Sequence, residues 1–378
     1  MVFTNISGYR PFIFFKAGEL HYVSLQVMQG VNKRNIRHLS LAELQDYFVQ
    51  SGDKKFRANQ VYEWLWQKHA HSFEAMTNLS KELRTKLGEV FELPALTVDA
   101  SQYSSDGTVK SRFKTVDHHL VEGVLIPTDS RQTACVSSQI GCSLTCKFCA
   151  TGYMGRKRNL NYDEIYDEVV LINQQAERIY QKKLSNIVFM GMGEPLLNYK
   201  NVLKAIERIS APDGLGMSPR RITVSTAGVA KMIRQLGDDQ VRFKLALSLH
   251  AANDKKRNEI MPINDTNDIR SLVEALNYFY QKTGNEITLE YILFKDFNDS
   301  PEDATELVKV FRQIPADLVN IIEYNPIDMA SFKKPDEVVT NNFMQYLEKN
   351  RVNARLRRSR GKDIDAACGQ LANKEGIQ

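Results

Sequence analysis

Three cysteines of the chain, Cys142, Cys146 and Cys149, follow one another with the spacing CxxxCxxC. Thiolates this close in sequence can converge on one inorganic centre. A structural zinc ion takes four cysteine or histidine ligands, and no fourth such residue lies nearby in the sequence. A 4Fe–4S cluster held by three cysteines leaves one iron without a protein ligand, where a small molecule can bind and receive an electron. The spacing therefore favours an iron–sulfur cluster, with a zinc loop completed by a distant residue as the alternative.

The two other cysteines, Cys135 and Cys368, lie outside this loop. Five cysteines, four of them clustered, make a poor disulfide framework in a chain of 378 residues. Each of these two is either a buried free thiol or a nucleophile. The segment Gly191-Met-Gly193-Glu194-Pro195 adds a second candidate site. Its glycines allow backbone to approach a ligand closely, and its carboxylate can meet an ammonium group.

The composition is that of a globular protein, with 43% hydrophobic and 25% charged residues. The net charge of +5 permits an anionic partner without requiring one. No stretch approaches the roughly 20 apolar residues of a membrane span, and no secretory signal is visible. We therefore expect a cytoplasmic protein with no membrane partner.

Strands and helices alternate from about residue 130 onward, and the motifs follow the strands. The predicted strands are Thr133–Ser138, Asn186–Gly191, Arg221–Ser225, Phe243–Leu249, Ile287–Phe294, Val319–Tyr324 and Ala354–Arg358. The predicted helices are Tyr162–Tyr180, Val202–Ile209, Val229–Leu236, Asp268–Lys282, Pro301–Ile314 and Val339–Lys349. This alternation predicts an α/β fold with a parallel sheet. Six or seven units fall short of the eight of a closed barrel, so we expect a partial (βα)6-type barrel with its chemistry on the loops after the strands.

The rest of the chain divides by its patterns. Residues 1–38 show no clear period and are interpreted as an arm or an over-extended reading frame. Residues 39–95 predict a small helical domain that opens with a capping box of Ser40 and Glu43. We expect a linker with short strands over residues 96–128, the barrel over 129–372 and a tail over 373–378. The helical domain carries a basic surface that fits either RNA contact or a solvated face: Lys54, Lys55, Arg57, Lys81, Arg84 and Lys86.

Eight motifs of the chain together resemble one enzyme family. They are Cys135–Gln139, Cys142–Gly152, Gly191–Pro195, Ser225–Gly228, Ser248–His250, Met261–Asn264, Tyr324–Pro326 and Asp363–Leu371. CxxxCxxC is the signature of radical S-adenosylmethionine enzymes. The full set, from about residue 40 to 372, resembles the dual-specificity adenine-C2 methyltransferases of 23S rRNA and tRNA. A sister family methylates C8 of the same rRNA adenine, but Pro195 and Ile140 favour the C2 enzymes.

The resemblance implies a 4Fe–4S cluster on Cys142, Cys146 and Cys149, and two molecules of S-adenosylmethionine per turnover. An electron-poor aromatic carbon cannot attack an electrophilic methyl group, so a radical route through a methylated cysteine is implied. By position in the motifs, Cys368 carries the methyl group and Cys135 resolves the adduct through a transient disulfide. The implied contacts with S-adenosylmethionine are Gly193, Glu194, Ser225, Ser248, Leu249, His250 and Asn325.

Glu122 matches the proton-accepting glutamate of the family, since a base must remove the C2 proton. The implied substrates are adenine 2503 of 23S rRNA and adenine 37 of tRNA, and an electron donor such as flavodoxin is a further implied partner. Basic residues near two of the motifs are candidates for phosphate contact: Arg156, Lys157, Arg158, Arg355, Arg357, Arg358 and Arg360. A more remote alternative is a non-catalytic RNA-binding protein that holds structural zinc.

Overall fold

The computed structural model describes residues 33–374. Most of the arm predicted for residues 1–38, and the last four residues of the predicted tail, lie outside this range. The helices are α1 Leu41–Gln50, α2 Phe56–Trp66, α3 Lys81–Val90, α4 Ala150–Tyr153, α5 Tyr162–Tyr180, α6 Tyr199–Ser210, α7 Ala230–Asp238, α8 Asp254–Ile260, α9 Ile269–Thr283, α10 Pro301–Phe311 and α11 Glu337–Lys349. The strands are β1 Arg34–Asn35, β2 Phe91–Glu92, β3 Thr97–Tyr103, β4 Val109–Lys114, β5 Leu120–Pro127, β6 Gln132–Cys135, β7 Gln139–Ile140, β8 Arg158–Asn159, β9 Asn186–Phe189, β10 Ile222–Thr226, β11 Lys244–Ser248, β12 Ile287–Leu293, β13 Leu318–Glu323 and β14 Ala354–Arg357.

One ten-stranded sheet, in the order β14-β13-β12-β11-β10-β9-β6-β5-β4-β3, forms the centre of the molecule. The strands from β6 and β9 through β14 pair in parallel. Helices occupy the connections between them, which confirms the predicted partial barrel. Because parallel strands end at the same edge of a sheet, all the loops that carry the predicted motifs open at one end of the barrel. We call this end the barrel mouth.

The segment over residues 96–128 continues this sheet. Strands β3, β4 and β5 pair antiparallel, and β5 pairs antiparallel with β6. The expected linker is thus joined by hydrogen bonds to the first strand of the barrel. This arrangement places Glu122, on β5, beside the chain that leads to the cysteine loop.

The helical segment at residues 34–93 contains α1, α2 and α3, and the predicted capping box of Ser40 with Glu43 begins α1. Trp66 at the end of α2 is 1% exposed and stacks on Tyr162 of α5 with ring centroids 5.9 Å apart. Beside it, Arg37 donates to Asp167 at 2.8 Å, and its Nε lies 3.5 Å from Asp163. Aromatic burial and a buried ion pair therefore fix these helices to α5. We call this contact the domain junction.

The C-terminal segment, residues 359–374, runs from the end of β14 back across the barrel mouth. On one side Ser104 and Ser105 of the β3–β4 turn donate to Asp363. On the other side the backbone N–H of Ala150 donates to the carbonyl of Gly369 at 2.7 Å. The segment is therefore held at both ends, with Cys368 between them. Among residues 33–374, no helix has the length and apolar character needed to cross a bilayer.

Candidate active site

The loop after β6 brings Cys142, Cys146 and Cys149 to the wall of one cavity. This mouth cavity encloses about 850 Å³ of empty space, part of which is open to solvent. Phe148, 7% exposed, packs edge-on against His250 with ring centroids 4.9 Å apart and covers the loop from inside. Burial raises the pKa of the Cys142 thiol to about 11 and that of Cys146 well above its usual value.

Three soft ligands in an apolar pocket suit an iron–sulfur cluster, whose binding removes the thiol protons. Among the described residues, no three Cys, His, Asp or Glu side chains meet closely enough to hold a single metal ion. The three cysteines instead line a wider cavity that also exposes Glu194 and His250. The residues present therefore fit a cluster with a small-molecule ligand beside it.

The turn after β9 presents Glu194, which is 3% exposed, to the same cavity. One carboxylate oxygen accepts from the N–H of Leu196 at 3.0 Å, and the other accepts from the N–H of Ala227 at 2.7 Å. A carboxylate fixed by two backbone donors keeps further lone pairs for a ligand ammonium group. The glycines here have a packing role as well, because a Cβ on Gly193 would lie 2.5 Å from the side chain of Gln139.

The next two strands of the barrel add hydroxyl groups and an imidazole. The hydroxyls of Ser225 and Ser248, at the ends of β10 and β11, lie 3.3 Å apart on the cavity wall. Burial lowers the pKa of His250 to about 3, so its ring is neutral. Its Nδ1 accepts from the N–H of Ile292 at 3.1 Å, which places the ring proton on Nε2. His250 can therefore donate one hydrogen bond to a ligand.

Two predicted cofactor contacts are not brought to the wall of this cavity. Leu249 is 1% exposed, and its carbonyl accepts from Arg257. Asn325 donates from its amide to Ser359 at 2.9 Å and to the carbonyl of Cys368 at 3.3 Å. The observed role of Asn325 is thus to hold the C-terminal segment.

Glu122 also binds this segment. Its Oε2 accepts from the N–H groups of Ala372 at 2.9 Å and Asn373 at 3.2 Å. Its Oε1 is buried without a hydrogen-bond partner among the described residues and lies 3.8 Å from the ammonium of Lys110. Glu122 does not line the mouth cavity, although it is 1% exposed.

A second cavity adjoins the first and is lined by Cys135, Cys149, Arg357 and Cys368. We call it the thiol cavity. Cys149, Arg357 and Cys368 line both cavities, so the two spaces share a wall. Burial raises the pKa of Cys135, and the nearby charge of Arg357 offsets only part of this increase. The structure therefore brings the two free cysteines outside the cluster loop to one space beside that loop.

Glu290, which no sequence motif marks, lies on β12 and lines the mouth cavity, and one of its carboxylate oxygens has no hydrogen-bond partner among the described residues. Its Oε2 lies 3.7 Å from Arg357, a residue expected to contact RNA phosphate but found lining both cavities. Arg158 is likewise engaged, with two contacts at 2.7 Å to Asp117 and further contacts to Glu164. Both arginines look in the sequence like members of solvated basic runs, and each has a partner far away along the chain: Asp117 for Arg158 and Glu290 for Arg357.

Comparison with known proteins agrees with this site. Residues 34–93 match the family described as ribosomal RNA large subunit methyltransferase N-terminal domain, and residues 136–308 match the radical SAM superfamily. A crystal structure of a radical SAM methyltransferase from Sphaerobacter thermophilus is similar, with a TM-score of 0.85 and 39% identity. The match covers 90% of this chain and 100% of that chain.

Two curated relatives are described as probable dual-specificity RNA methyltransferases RlmN. The protein from Cytophaga hutchinsonii is 57% identical over 94% of this chain and 98% of its own length. The protein from Christiangramia forsetii is 56% identical over 90% of this chain and 97% of its own length. These matches identify an enzyme and rule out the non-catalytic zinc protein considered from the sequence. The superfamily implies a 4Fe–4S cluster and S-adenosylmethionine, and the chain belongs to the RlmN family of radical S-adenosylmethionine RNA methyltransferases.

Proposed function

We propose that this enzyme adds a methyl group to C2 of adenine, at position 2503 of 23S rRNA and position 37 of tRNA, by way of a methylated Cys368. The observation that carries the proposal is that Cys135 and Cys368 line one cavity that adjoins the cavity of the CxxxCxxC loop. A reaction that uses a carrier thiol and a resolving thiol needs both within reach of one substrate atom. The names of the relatives, dual-specificity RNA methyltransferases, support the two RNA substrates.

Cys142, Cys146 and Cys149 would hold the 4Fe–4S cluster. The cluster, when bound, supplies the electron that cleaves S-adenosylmethionine reductively. Glu194 would bind the ammonium of the methionyl group, because it is a buried carboxylate fixed by two backbone donors. The hydroxyls of Ser225 and Ser248 and the Nε2–H of His250 would position the rest of the molecule.

The thiolate of Cys368 first takes a methyl group from one S-adenosylmethionine, which leaves as S-adenosylhomocysteine. A hydrogen atom of this methyl group would pass to the 5′-deoxyadenosyl radical from a second S-adenosylmethionine, and the carbon radical left on Cys368 would bond to adenine C2. The adduct would then lose the C2 proton and one electron, which the bound cluster would take back. The thiolate of Cys135 then attacks the sulfur of Cys368, so that a disulfide forms and the carbon–sulfur bond breaks. The released carbon takes up a proton and remains on the base as a methyl group.

Glu122 is the proposed acceptor of the C2 proton. Its Oε2 is occupied by two backbone donors of the C-terminal segment, so Oε1 is the atom available for the proton. Because Glu122 lies next to the segment that carries Cys368, acceptance of the proton would be coupled to the position of that segment. An Asp in its place would withdraw the carboxylate by one methylene group and lose these contacts.

The RNA must present an unstacked adenine, since C2 is not accessible in a stacked helix. Arg360 donates to the carbonyl of Asp106, so it is engaged like Arg158 and Arg357. Four exposed cations remain as candidates for phosphate contact: Arg156, Lys157, Arg355 and Arg358. Arg156 and Lys157 follow the cysteine loop, Arg355 lies on β14, and Arg358 directly follows this strand. Electrons would come from an external donor such as flavodoxin.

Mass spectrometry of nucleosides tests the proposal most directly. Reconstituted enzyme should produce 2-methyladenosine in both 23S rRNA and tRNA substrates. 8-Methyladenosine would instead support the sister reaction at C8. The variant Cys368→Ala should retain its iron and yield neither product, and transfer of label from S-adenosylmethionine to the protein should stop. Continued labelling of the protein would show that a different residue carries the methyl group.

A further inference from the structure

Arg257, on the short helix α8, is a fully buried cation, with 0% of its surface exposed. Its Nε donates to the carbonyl of Leu249 at 3.1 Å, and one terminal nitrogen donates to the carbonyls of Ala227 and Ser248. The other terminal nitrogen donates to the side-chain amide oxygen of Asn264. Every acceptor is neutral, and among residues 33–374 no carboxylate lies within ion-pair distance of the guanidinium.

The two acids on the same helix do not change this, and Glu259 is exposed to solvent. Asp254 begins the same helix, but its carboxylate accepts from the amide of Asn264 and from the N–H of Ile269. Burial lowers the pKa of Arg257 to about 10, which still leaves the guanidinium charged at neutral pH. A buried charge without a counter-charge is costly, so a folded protein rarely keeps one without a reason.

Arg257 lies directly behind the wall of the mouth cavity. Two of its acceptors, the carbonyls of Ala227 and Ser248, belong to residues that line this cavity. The last residue of α8 accepts a hydrogen bond at 3.0 Å from the N–H of Lys147, between the second and third cysteines of the loop. The helix that carries the unpaired cation is thus attached to the loop that carries the thiols.

We propose that Arg257 is the counter-cation of the anionic cluster held by Cys142, Cys146 and Cys149, and that it raises the reduction potential of this cluster. The inference rests on the proposed function, which assigns these three cysteines as ligands. Three thiolates outweigh the positive charge of the oxidised cluster core, and reduction adds another negative charge. A fixed positive charge in a low-dielectric interior stabilises the reduced form more than the oxidised form.

The carboxylate of bound S-adenosylmethionine is a second possible source of the negative charge. Four of the five N–H groups of Arg257 are already engaged by carbonyls and an amide, so at most one is left and the guanidinium cannot bind a carboxylate in bidentate fashion. Arg257 therefore acts on the cluster electrostatically, through space. It is a positioning residue that does not touch the substrate. If Arg257 acts on the cluster, it changes the reduction potential even before S-adenosylmethionine binds. If it acts on the carboxylate of S-adenosylmethionine, the potential changes only after binding.

The test is a redox titration followed by electron paramagnetic resonance, on the full-length chain reconstituted without oxygen. The variants are Arg257→Gln, which removes the charge, and Arg257→Lys, which retains it. Arg37→Gln is the matched control, because Arg37 is another buried arginine but is paired with Asp163 and Asp167. For Arg257→Gln we expect the ratio of reduced to oxidised cluster at fixed potential to fall at least tenfold, or about 59 mV for one electron.

The fall should occur with and without S-adenosylmethionine. Arg257→Lys should stay close to the unmodified enzyme, and Arg37→Gln should match it. If Arg257→Gln fails to fold, Asp254→Asn provides the second measurement: loss of a nearby negative charge should raise the potential, while the amide keeps an acceptor for Ile269.

Three outcomes overturn the inference: an unchanged potential in Arg257→Gln at full iron content, an equal fall in the Gln and Lys variants, or a shift seen only with S-adenosylmethionine. An unchanged potential in Asp254→Asn counts against it as well. Failure of the ligand assignment is distinguishable, because a Cys146→Ala variant would then keep its full iron content whatever the result at Arg257.

Discussion

The domain junction and the barrel mouth each bury an arginine, and the two arginines have different partners. Arg37 at the junction is 4% exposed and contacts the carboxylates of Asp163 and Asp167. Arg257 at the mouth is 0% exposed and contacts only carbonyls and an amide. At the junction the chain itself supplies carboxylates as partners for the arginine, whereas at the mouth the arginine has no carboxylate partner among the described residues and lies behind the cavity of three thiols.

This difference separates two uses of a buried charge. At the junction, the ion pair fixes how the helical domain meets α5, and its removal should affect folding before it affects chemistry. At the mouth, the proposed counter-charge of Arg257 is the cluster, which is not part of the chain. Variants at the junction should therefore change stability, and variants at the mouth should change cofactor content, reactivity or potential.

The largest expected effect follows from Cys146→Ala at the mouth. Loss of one of three thiolates should abolish the cluster and all RNA methylation, because water is a poor replacement for a thiolate on iron. Iron and sulfide analysis after anaerobic reconstitution measures this loss. Cys135→Ala is the matched control, since it removes a buried thiol that is not a ligand and should retain full iron. Full iron content in Cys146→Ala would contradict the ligand assignment.

Cys135→Ser should keep the cluster but stop the reaction after carbon has bonded to the RNA. A hydroxyl is far too weak a nucleophile at neutral pH to release the adduct from Cys368. The purified variant should carry covalently bound RNA that survives a denaturing gel and disappears with nuclease. Normal turnover, or an inactive variant without any RNA adduct, would show that Cys135 is not the resolving thiol.

Arg37→Met at the junction should reduce stability by about 3–5 kcal/mol, because it leaves two buried carboxylates without their cation. Urea unfolding of the variant measures this change. Arg34→Met is the control, since Arg34 and Glu43 form an exposed pair 3.1 Å apart, and such pairs contribute at most about 1 kcal/mol. Equal losses of stability in the two variants would show that the buried ion pair of Arg37 contributes no more than the exposed pair of Arg34.

As pH falls, the contribution of the barrel mouth to the free energy of unfolding should be lost at a higher pH than the contribution of the domain junction. Burial lowers the pKa of His250 to about 3, so stability from the neutral ring is complete above about 6.5 and is lost as pH falls toward 3. At pH 5 the loss should be about 1–2 kcal/mol by urea unfolding. At the junction, burial would raise the pKa of Asp163, but His38 and Arg37 outweigh it and lower that pKa.

The contribution of Asp163 is therefore lost only below about pH 4. His250→Asn should flatten the slope of stability between pH 6.5 and 5, whereas Asp163→Asn should leave that slope unchanged. A slope that survives in His250→Asn would assign this acid sensitivity to another group.

The smallest effect is expected for Ser40→Ala, which removes the N-cap of α1 and should cost about 1 kcal/mol. Ser40→Asn should recover most of this stability, because asparagine also accepts from the third N–H of the helix. Unfolding by urea again gives the measurement. Neither variant should change iron content, and a change would link the helical domain to the mouth.

Much of the fold follows from sequence because its signals are local. The predicted helix Tyr162–Tyr180 agrees with α5 at both ends, since a capping box of Asn161 and Glu164 begins it and polar residues end it. The strand Ile287–Phe294 is mostly apolar apart from Thr288 and Glu290, as is typical of a strand buried on both faces, and it differs from β12 by one residue. Motifs placed after such strands must meet at one edge, so the cysteine loop and the turn at Glu194 could be assigned to one site.

The remaining features depend on contacts between distant parts of the chain. Helix α8, with the sequence DKKRNEI, has no apolar face, and the burial of Arg257 depends on carbonyls from two strand ends. Arg357 could not be distinguished from its exposed neighbours, because its position beside Cys368 is set by the path of the C-terminal segment. The contacts of Glu122 with Ala372 and Asn373 also depend on the path of the C-terminal segment.

The two-sided attachment of the C-terminal segment also sets a length. Asp363 is fixed to the β3–β4 turn and Gly369 to the start of α4, with Cys368 next to the second attachment. One inserted or deleted residue in extended chain shifts the downstream residues by about 3.5 Å, more than the length of a hydrogen bond. Between β14 and Cys368 this sequence can therefore accept exchanges of side chains far more readily than a change in the number of residues.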